Sequence, residues 1–298
     1  LNSVYFVNSG SEANEGAIKL AKRVTGRMEV VAFHKAYHGS THGVLSIIGE
    51  ESFRRNYRPL VPGARFLHYN QHEELAKITE KTACVIAETV QAEAGVRPPD
   101  TEWLQALRHR CTEVGALLIL DEIQAGFGRT GKLFGFEHYG VVPDIVTFAK
   151  GMGGGLPIGV FVASRELMQH FTDNPVLGHI TTFGGNAVCC AAAEAVLQTL
   201  LQEKLVEQVA PKAQRLAGQL QHDAVKEVRH KGFLMTLEFP TTELNFKVID
   251  ECIKRGVITD WFLFADNCLR IAPPLIITEE EIDWAAEKIL ESIEAATA

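Results

Sequence analysis

What this chain has little of narrows the field first. Its 298 residues include six cysteines, at positions 84, 111, 189, 190, 252 and 268, with no C-x-x-C pair and no regular spacing. That scatter excludes a disulfide framework and the common zinc motifs, so no metal site is expected. Several of the cysteines lie inside apolar runs, where a free thiol packs as a small hydrophobe, and a reducing, cytoplasmic location is expected. No apolar run approaches the ~20 residues of a membrane-spanning helix. Positive charge is in deficit, 29 Lys and Arg against 37 Asp and Glu for a net charge of −8. A nucleic-acid backbone is therefore not an expected partner. The one basic knot, Arg54, Arg55 and Arg58, reads as a solvated or substrate-steering patch. Internal repeats and low-complexity tracts are absent.

What is present is the composition of an ordinary soluble globular protein, 46% hydrophobic and 22% charged, long enough for one large domain and a smaller one. Two short, β-branched apolar runs, 116–120 and 145–149, read as strands buried on both faces. Each ends on a residue that should not be buried alone, Asp121 and Lys150. The carboxyl ends of neighbouring parallel strands are where open α/β sheets place their ligands. A carboxylate facing a heterocyclic nitrogen keeps it protonated, and a lysine can form an imine with a carbonyl, so the pair fits a pyridoxal phosphate site. It equally fits a structural ion pair.

Taken in order, a strand at 4–7 leads through Asn8-Ser9-Gly10-Ser11 into a helix with Ala13, Ala17, Leu20, Ala21 and Val24 on one face. Ser11, with Asn14 or Glu15, resembles the cap. Free amides at such a helix start, with a glycine allowing close approach, suit a phosphate; a well-capped helix alone has the same pattern. The chain opens on Leu1 in a strand-like segment, and a preceding segment is expected. A strand at 29–33 is followed by Tyr37, which can cover a flat ring or fill a core, flanked by His34 and His38 as polar loop residues. Strand 65–67, helix 73–81 and strand 84–87 follow. The last ends at Glu88, with Glu93 five residues on, two acids costly to crowd beside Asp121 without a cation or ligand. An amphipathic helix spans 101–114. The alternation predicts a mostly parallel sheet with right-handed crossovers.

Beyond Lys150 the run Gly151-Met152-Gly153-Gly154-Gly155 lets backbone pass close to something. A strand at 158–163, a helix capped by Ser164 and a hydroxyl- and glycine-rich loop at 179–186 come next. A long helix at 187–222 is expected to break at Pro211. The domains are expected at 1–205 and 206–298, the second a small α+β unit with strands at 225–228, 234–239, 257–259 and 269–272 and helices at 244–255 and from Glu279. Arg270 lies in its last strand, just before Pro273-Pro274.

NSGSEANEGAIKLAKR, AYHG, ETVQAEAG, LLILDEIQAGFGRTG, PDIVTFAKGMGGGLPIG, TTFGGN and LRIAPPL, in this order, span nearly the whole chain. Together they resemble the class III (ω-amino acid) pyridoxal-phosphate-dependent aminotransferases, closest in pattern to the acetylornithine and ornithine aminotransferases. The resemblance implies an α/β fold of the aspartate aminotransferase kind, fold type I, and pyridoxal 5'-phosphate as cofactor. It implies that Lys150 carries the cofactor and moves the proton, that Asp121 pairs with the ring nitrogen, that Gln124 hydrogen-bonds the ring hydroxyl oxygen, and that Glu88, from behind, steers that oxygen and Gln124. Gly10 and Ser11 would hold the phosphate and Tyr37 would lie over the ring. Thr182 would reach the phosphate of the other subunit, making a homodimer with shared sites. Glu93 would cover Arg270 and swing away when the acceptor's carboxylate arrives. The implied reaction moves an amino group from an ω-amino donor to 2-oxoglutarate through the pyridoxamine form of the cofactor. An aminomutase of the glutamate-semialdehyde type, or a weakly active cofactor-binding protein, shares the same Lys150 and Asp121. Thr89, Ala92, Ala94, the Ser40-Thr41 pair and Ala187 depart from the commoner family residues and argue against assigning one subfamily.

Overall fold

The computed structural model describes residues 1–298. The chain divides into two compact units, one of Leu1–Thr89, Pro99–Gly126 and Phe136–Gln198, the other of Val90–Pro98, Phe127–Gly135 and Thr199–Ala298. In chain order the strands are β1 (Ser3–Val7), β2 (Glu29–Phe33), β3 (Ala64–Leu67), β4 (Thr82–Glu88), β5 (Leu117–Asp121), β6 (Ile145–Phe148), β7 (Gly159–Ala163), β8 (Glu227–Lys231), β9 (Leu234–Glu238), β10 (Asp260–Phe262) and β11 (Ala265–Ile271). The helices are α1 (Gly10–Thr25), α2 (His42–Leu45), α3 (Glu51–Arg54), α4 (Thr101–Val114), α5 (Arg165–Gln169), α6 (Ala187–Gln202), α7 (Leu205–Gln219), α8 (Thr242–Lys254) and α9 (Glu279–Thr297). No helix is long and apolar enough to cross a membrane.

The first unit is built on a seven-stranded sheet of order β1-β7-β6-β5-β4-β2-β3. Neighbours from β3 to β6 pair in parallel, and only β7 runs against its neighbours β6 and β1. This is the mostly parallel α/β sheet expected from the alternation. Side chains of a strand alternate between faces, and the two cores follow that parity. Val85, Ala87, Leu118 and Leu120 pack with Trp103, Leu104 and Leu107 of α4 on one face. Cys84, Ile86, Ile119 and Ile145 pack with Ala13, Ala17, Leu20 and Ala21 of α1 on the other. Continuing the same parity puts Asp121 and Thr147 on the α1 side of the sheet. Burial pushes the thiols of Cys84 and Cys111 up to about 12, so both are inert packing groups.

Helix α1 starts earlier than expected. Its cap is Ser9, extended at φ −154° and ψ 167°, whose side chain accepts from the Glu12 N–H. Ser11 is therefore inside the first turn, because Gly10 already has helical geometry. The helix ends at Gly26, left-handed at φ 68°, a conformation that disfavours any residue with a Cβ. The segment expected as a helix at 73–81 is a 3-10 turn at His72–Lys77, which leaves room for β4 to begin at Thr82.

The second unit carries an antiparallel sheet of order β10-β11-β9-β8. Phe233, Met235, Leu237 and Leu269 pack there with Val209 and Leu216 of α7, Ile249 of α8 and Ile282 and Ile289 of α9. The expected break at Pro211 does not occur. The helix breaks at Lys204, left-handed at φ 51°, and Pro211 lies within α7. Pro211 and Glu207, the residue whose carbonyl loses its N–H partner, are both exposed, so water can serve that carbonyl. Strand β10 forms at Asp260–Phe262 rather than 257–259, because the Val257 N–H is still turned back onto the Cys252 carbonyl at the end of α8.

Candidate active site

Glu88, Asp121 and Thr147 stand in register across the carboxyl ends of β4, β5 and β6. Asp121 is 4% exposed, and a buried carboxylate is costly unless its lone pairs are filled. Its Oδ2 accepts from Asn14 Nδ2 and His38 Nδ1, both at 2.8 Å, and its Oδ1 from the Ile123 N–H at 3.0 Å. Asn14, fully buried on α1, is oriented from its other side: its Oδ1 accepts from Thr147 Oγ1 at 2.8 Å, and its Nδ2 also donates to the His38 carbonyl. The His38 ring is buried, and its Nε2 has no partner. A proton there would be an orphaned buried donor, so the tautomer that fits carries its proton on Nδ1, toward Asp121. Both side-chain donors thus converge on Oδ2 of Asp121.

Glu88, also buried, accepts at Oε2 from the Tyr37 N–H at 3.3 Å, and its carbonyl accepts from the Tyr69 hydroxyl at 2.6 Å. Burial raises the Tyr69 phenol well above its usual range, so it stays a donor. Tyr37 is half-buried beyond the end of β2, and Gln124 is half-buried on the turn after β5.

Lys150 opens a 3-10 turn directly after β6, exposed and left-handed at φ 47°. The glycines after it have separate roles. A Cβ would meet open space at Gly151 and Gly155, whereas at Gly153 it would lie 2.9 Å from Ile158 and at Gly154 2.7 Å from Val196. At the start of α1, Ser9 takes the N–H of Glu12 and of Ala13. The N–H groups of Gly10 and Ser11 are left as the helix's unclaimed first-turn donors, the arrangement that receives an anion. Gly39, at φ 127°, runs so close that a Cβ would fall 2.2 Å from Ser11 Oγ. Thr182 is exposed in the loop before α6.

Glu93 lies in the second unit, 4% exposed, with its Oε2 2.6 Å from Arg270 Nη2 and 3.0 Å from the Leu263 N–H. Arg270 also has its Nε 3.2 Å from Asp260 Oδ1, off the line of a hydrogen bond, and its guanidinium over the Phe262 ring at 4.5 Å.

The network around Asp121 includes residues that sequence reasoning missed. Asn14 left a usable signal, a polar residue on the apolar stripe of α1, where burial demands partners. His38 left none, because its role depends on three separate elements meeting. Taken together, the first unit presents a buried carboxylate, an exposed amine three residues past the neighbouring strand's register partner, and an anion-ready helix start. That set matches the ring nitrogen, carbonyl and phosphate of pyridoxal phosphate.

The family model for class-III aminotransferases matches residues 2–293. The acetylornithine aminotransferase of Bacillus subtilis is 38% identical over 296 residues, covering 97% of this chain and 75% of that protein. That of Methanopyrus kandleri is 41% identical over 300 residues, covering 99% and 76%. Among solved structures, the ornithine aminotransferase of Toxoplasma gondii with partial pyridoxal phosphate occupancy at its active site superposes with a TM-score of 0.91 at 28% identity, covering 99% of this chain and 72% of that one.

Proposed function

The chain belongs to the class-III aminotransferases, enzymes that use pyridoxal phosphate, and on that premise we propose that it moves an amino group from an ω-amino donor to 2-oxoglutarate. The donor is of the acetylornithine, ornithine or 4-aminobutyrate kind, and the working form is a cytoplasmic homodimer with shared sites. When bound, pyridoxal phosphate supplies a carbonyl for the incoming amine and a heterocycle that draws electrons from the reacting carbon. Asp121, held by Asn14 and His38, keeps the ring nitrogen protonated. The Lys150 Nζ would hold the carbonyl end of the cofactor, and the same amine would be the base that takes the proton from the donor's amine-bearing carbon. The N–H groups of Gly10 and Ser11 receive the phosphate, Tyr37 covers the ring, and Gln124 and Glu88 act at the ring oxygen. Thr182 reaches the phosphate held by the other subunit.

The observation that carries the choice of acceptor is the 2.6 Å pair of Glu93 and Arg270. A donor with its amine on a plain methylene carbon has no carboxylate for Arg270, a half-buried guanidinium that favours a bound carboxylate partner. Glu93 matches it during the donor half of the cycle. In the acceptor half a carboxylate displaces Glu93, offering the paired oxygens that suit a guanidinium. Adding acetylornithine, ornithine, 4-aminobutyrate and lysine in turn to the purified holoenzyme should discharge the Lys150-bound cofactor absorbance with at least one of them, and 2-oxoglutarate should restore it. Failure of every amine to discharge it would sink the proposal. Borohydride reduction followed by peptide mapping should place the label on Lys150.

A further inference from the structure

The loop that carries Thr182 is not loosely attached. Asn8 Nδ2 donates to Thr181 Oγ1 at 3.0 Å, and the Tyr5 hydroxyl donates to the His179 carbonyl at 2.6 Å. Lys19 Nζ lies 3.0 Å from His179 Nδ1, and the His179 ring stacks on Phe171 with centroids 5.0 Å apart. A Cβ on Gly184 would fall 2.3 Å from the Phe6 carbonyl oxygen, so the loop lies flat against β1. The anchor at Asn8 is the turn that opens α1: the Asn8 N–H and Nδ2 also donate to Glu12 Oε2, at 2.7 and 2.8 Å. One side chain thus ties the turn carrying Gly10 and Ser11 to the loop carrying Thr182.

We propose that Asn8 and Thr181 are positioning residues that act in trans, holding Thr182 of one subunit in place for the cofactor phosphate of the other. This rests on the shared-site homodimer proposed above. The turn that receives a subunit's own phosphate also aims the residue lent to its partner. Loss of the Asn8–Thr181 bond is felt at the site of the chain that is not mutated. A residue acting only through local stability would weaken its own chain's site instead.

The test uses dimers of two differently tagged chains in which one chain is Lys150→Ala, so that the absorbance of lysine-bound cofactor reports a single known site. Thr181→Val removes the acceptor oxygen at nearly constant shape, and Asn8→Ala removes the donor. Placed on the Lys150→Ala chain, either should speed cofactor release from the intact partner site about three- to tenfold, the effect of one part-buried hydrogen bond. Placed on the chain that keeps Lys150, Thr181→Val should leave release unchanged. The double variant Asn8→Ala/Thr181→Val should release no faster than the faster single. Quicker release only in cis, or in neither arrangement, overturns the inference. Thr182→Ala separates the two levels: if it too is silent in trans, the shared-site reading falls and takes this inference with it. If it acts in trans while Thr181→Val does not, only the positioning role is lost.

Discussion

Asp121 Oδ2 accepts two hydrogen bonds from buried donors, Asn14 Nδ2 and His38 Nδ1. An Asp121→Asn substitution keeps the shape but not the charge. If its amide nitrogen took the Oδ2 place it would face two donors, so the amide must turn its oxygen there and leave its nitrogen toward Ile123 N–H, another donor. The variant is expected to keep cofactor on Lys150 while the donor half-reaction slows by at least about a hundredfold, the usual cost of losing a preorganised charge. Rapid-mixing measurement of the absorbance change with donor checks this, and a rate within a few fold of wild type refutes the role. At this scale the sequence is informative about charges that end apolar runs. Asp121 and Lys150 are legible because a charge there must be compensated, and Arg270 and Glu93 because of the family motifs that carry them. Asn14 shows only as a polar residue on an apolar stripe, and His38, Thr147 and Asp260 not at all, since each is defined by contacts that only the folded chain makes.

Elements are legible where burial dictates their pattern. The strands of the first unit read directly, β4 being buried from Thr82 to Glu88. In the second unit β8 is missed at its true place because Glu-Val-Arg-His-Lys has no buried residue. Its charges are matched instead along the strand and across the ladder: Arg229 bonds Glu227 beside it and Glu238 on β9, and Lys226 bonds Glu238, which holds the Glu238 carboxyl at about 2. Propensity misleads at α1 as well. Gly16 lies inside the helix, where alanine would ordinarily stabilise by about 1 kcal/mol. A Cβ there would sit 2.4 Å from the Phe161 ring, itself fully buried and stacked on Tyr5 at 4.9 Å. The ring has no free side to move into, so overpacking wins. Gly16→Ala is expected to destabilise the protein by about 1–3 kcal/mol, read from urea unfolding of the holoenzyme, and a stabilised variant would contradict the packing described for α1 and β7.

For the whole molecule, the proposed homodimer is expected to form through the surface around α6. Val176, Leu177, Ile180, Phe183 and Val188 are all between 67% and 72% exposed, a density of large apolar groups that marks an association surface. On a monomer, Val188→Arg would change stability by no more than about 0.5 kcal/mol. In the proposed homodimer it should shift sedimentation from two chains to one and, by withdrawing Thr182 from its partner, speed cofactor loss. A variant that still sediments as a dimer would move the interface elsewhere.

Lys150 stands at φ 47°, a conformation that costs a residue with a Cβ on the order of 1 kcal/mol and glycine almost nothing. Lys150→Gly is therefore expected to be more stable than Lys150→Ala by about 0.5–1 kcal/mol, measured on the cofactor-free proteins by denaturant titration. Both variants lack the amine, so the comparison isolates the backbone. The consequence reaches past this one residue: a redesign of this protein scored on thermal robustness alone would choose glycine at position 150 and, given the role proposed for Lys150, discard the reaction in doing so. On that proposal, lysine there is a choice that selection for turnover maintains against the backbone's preference.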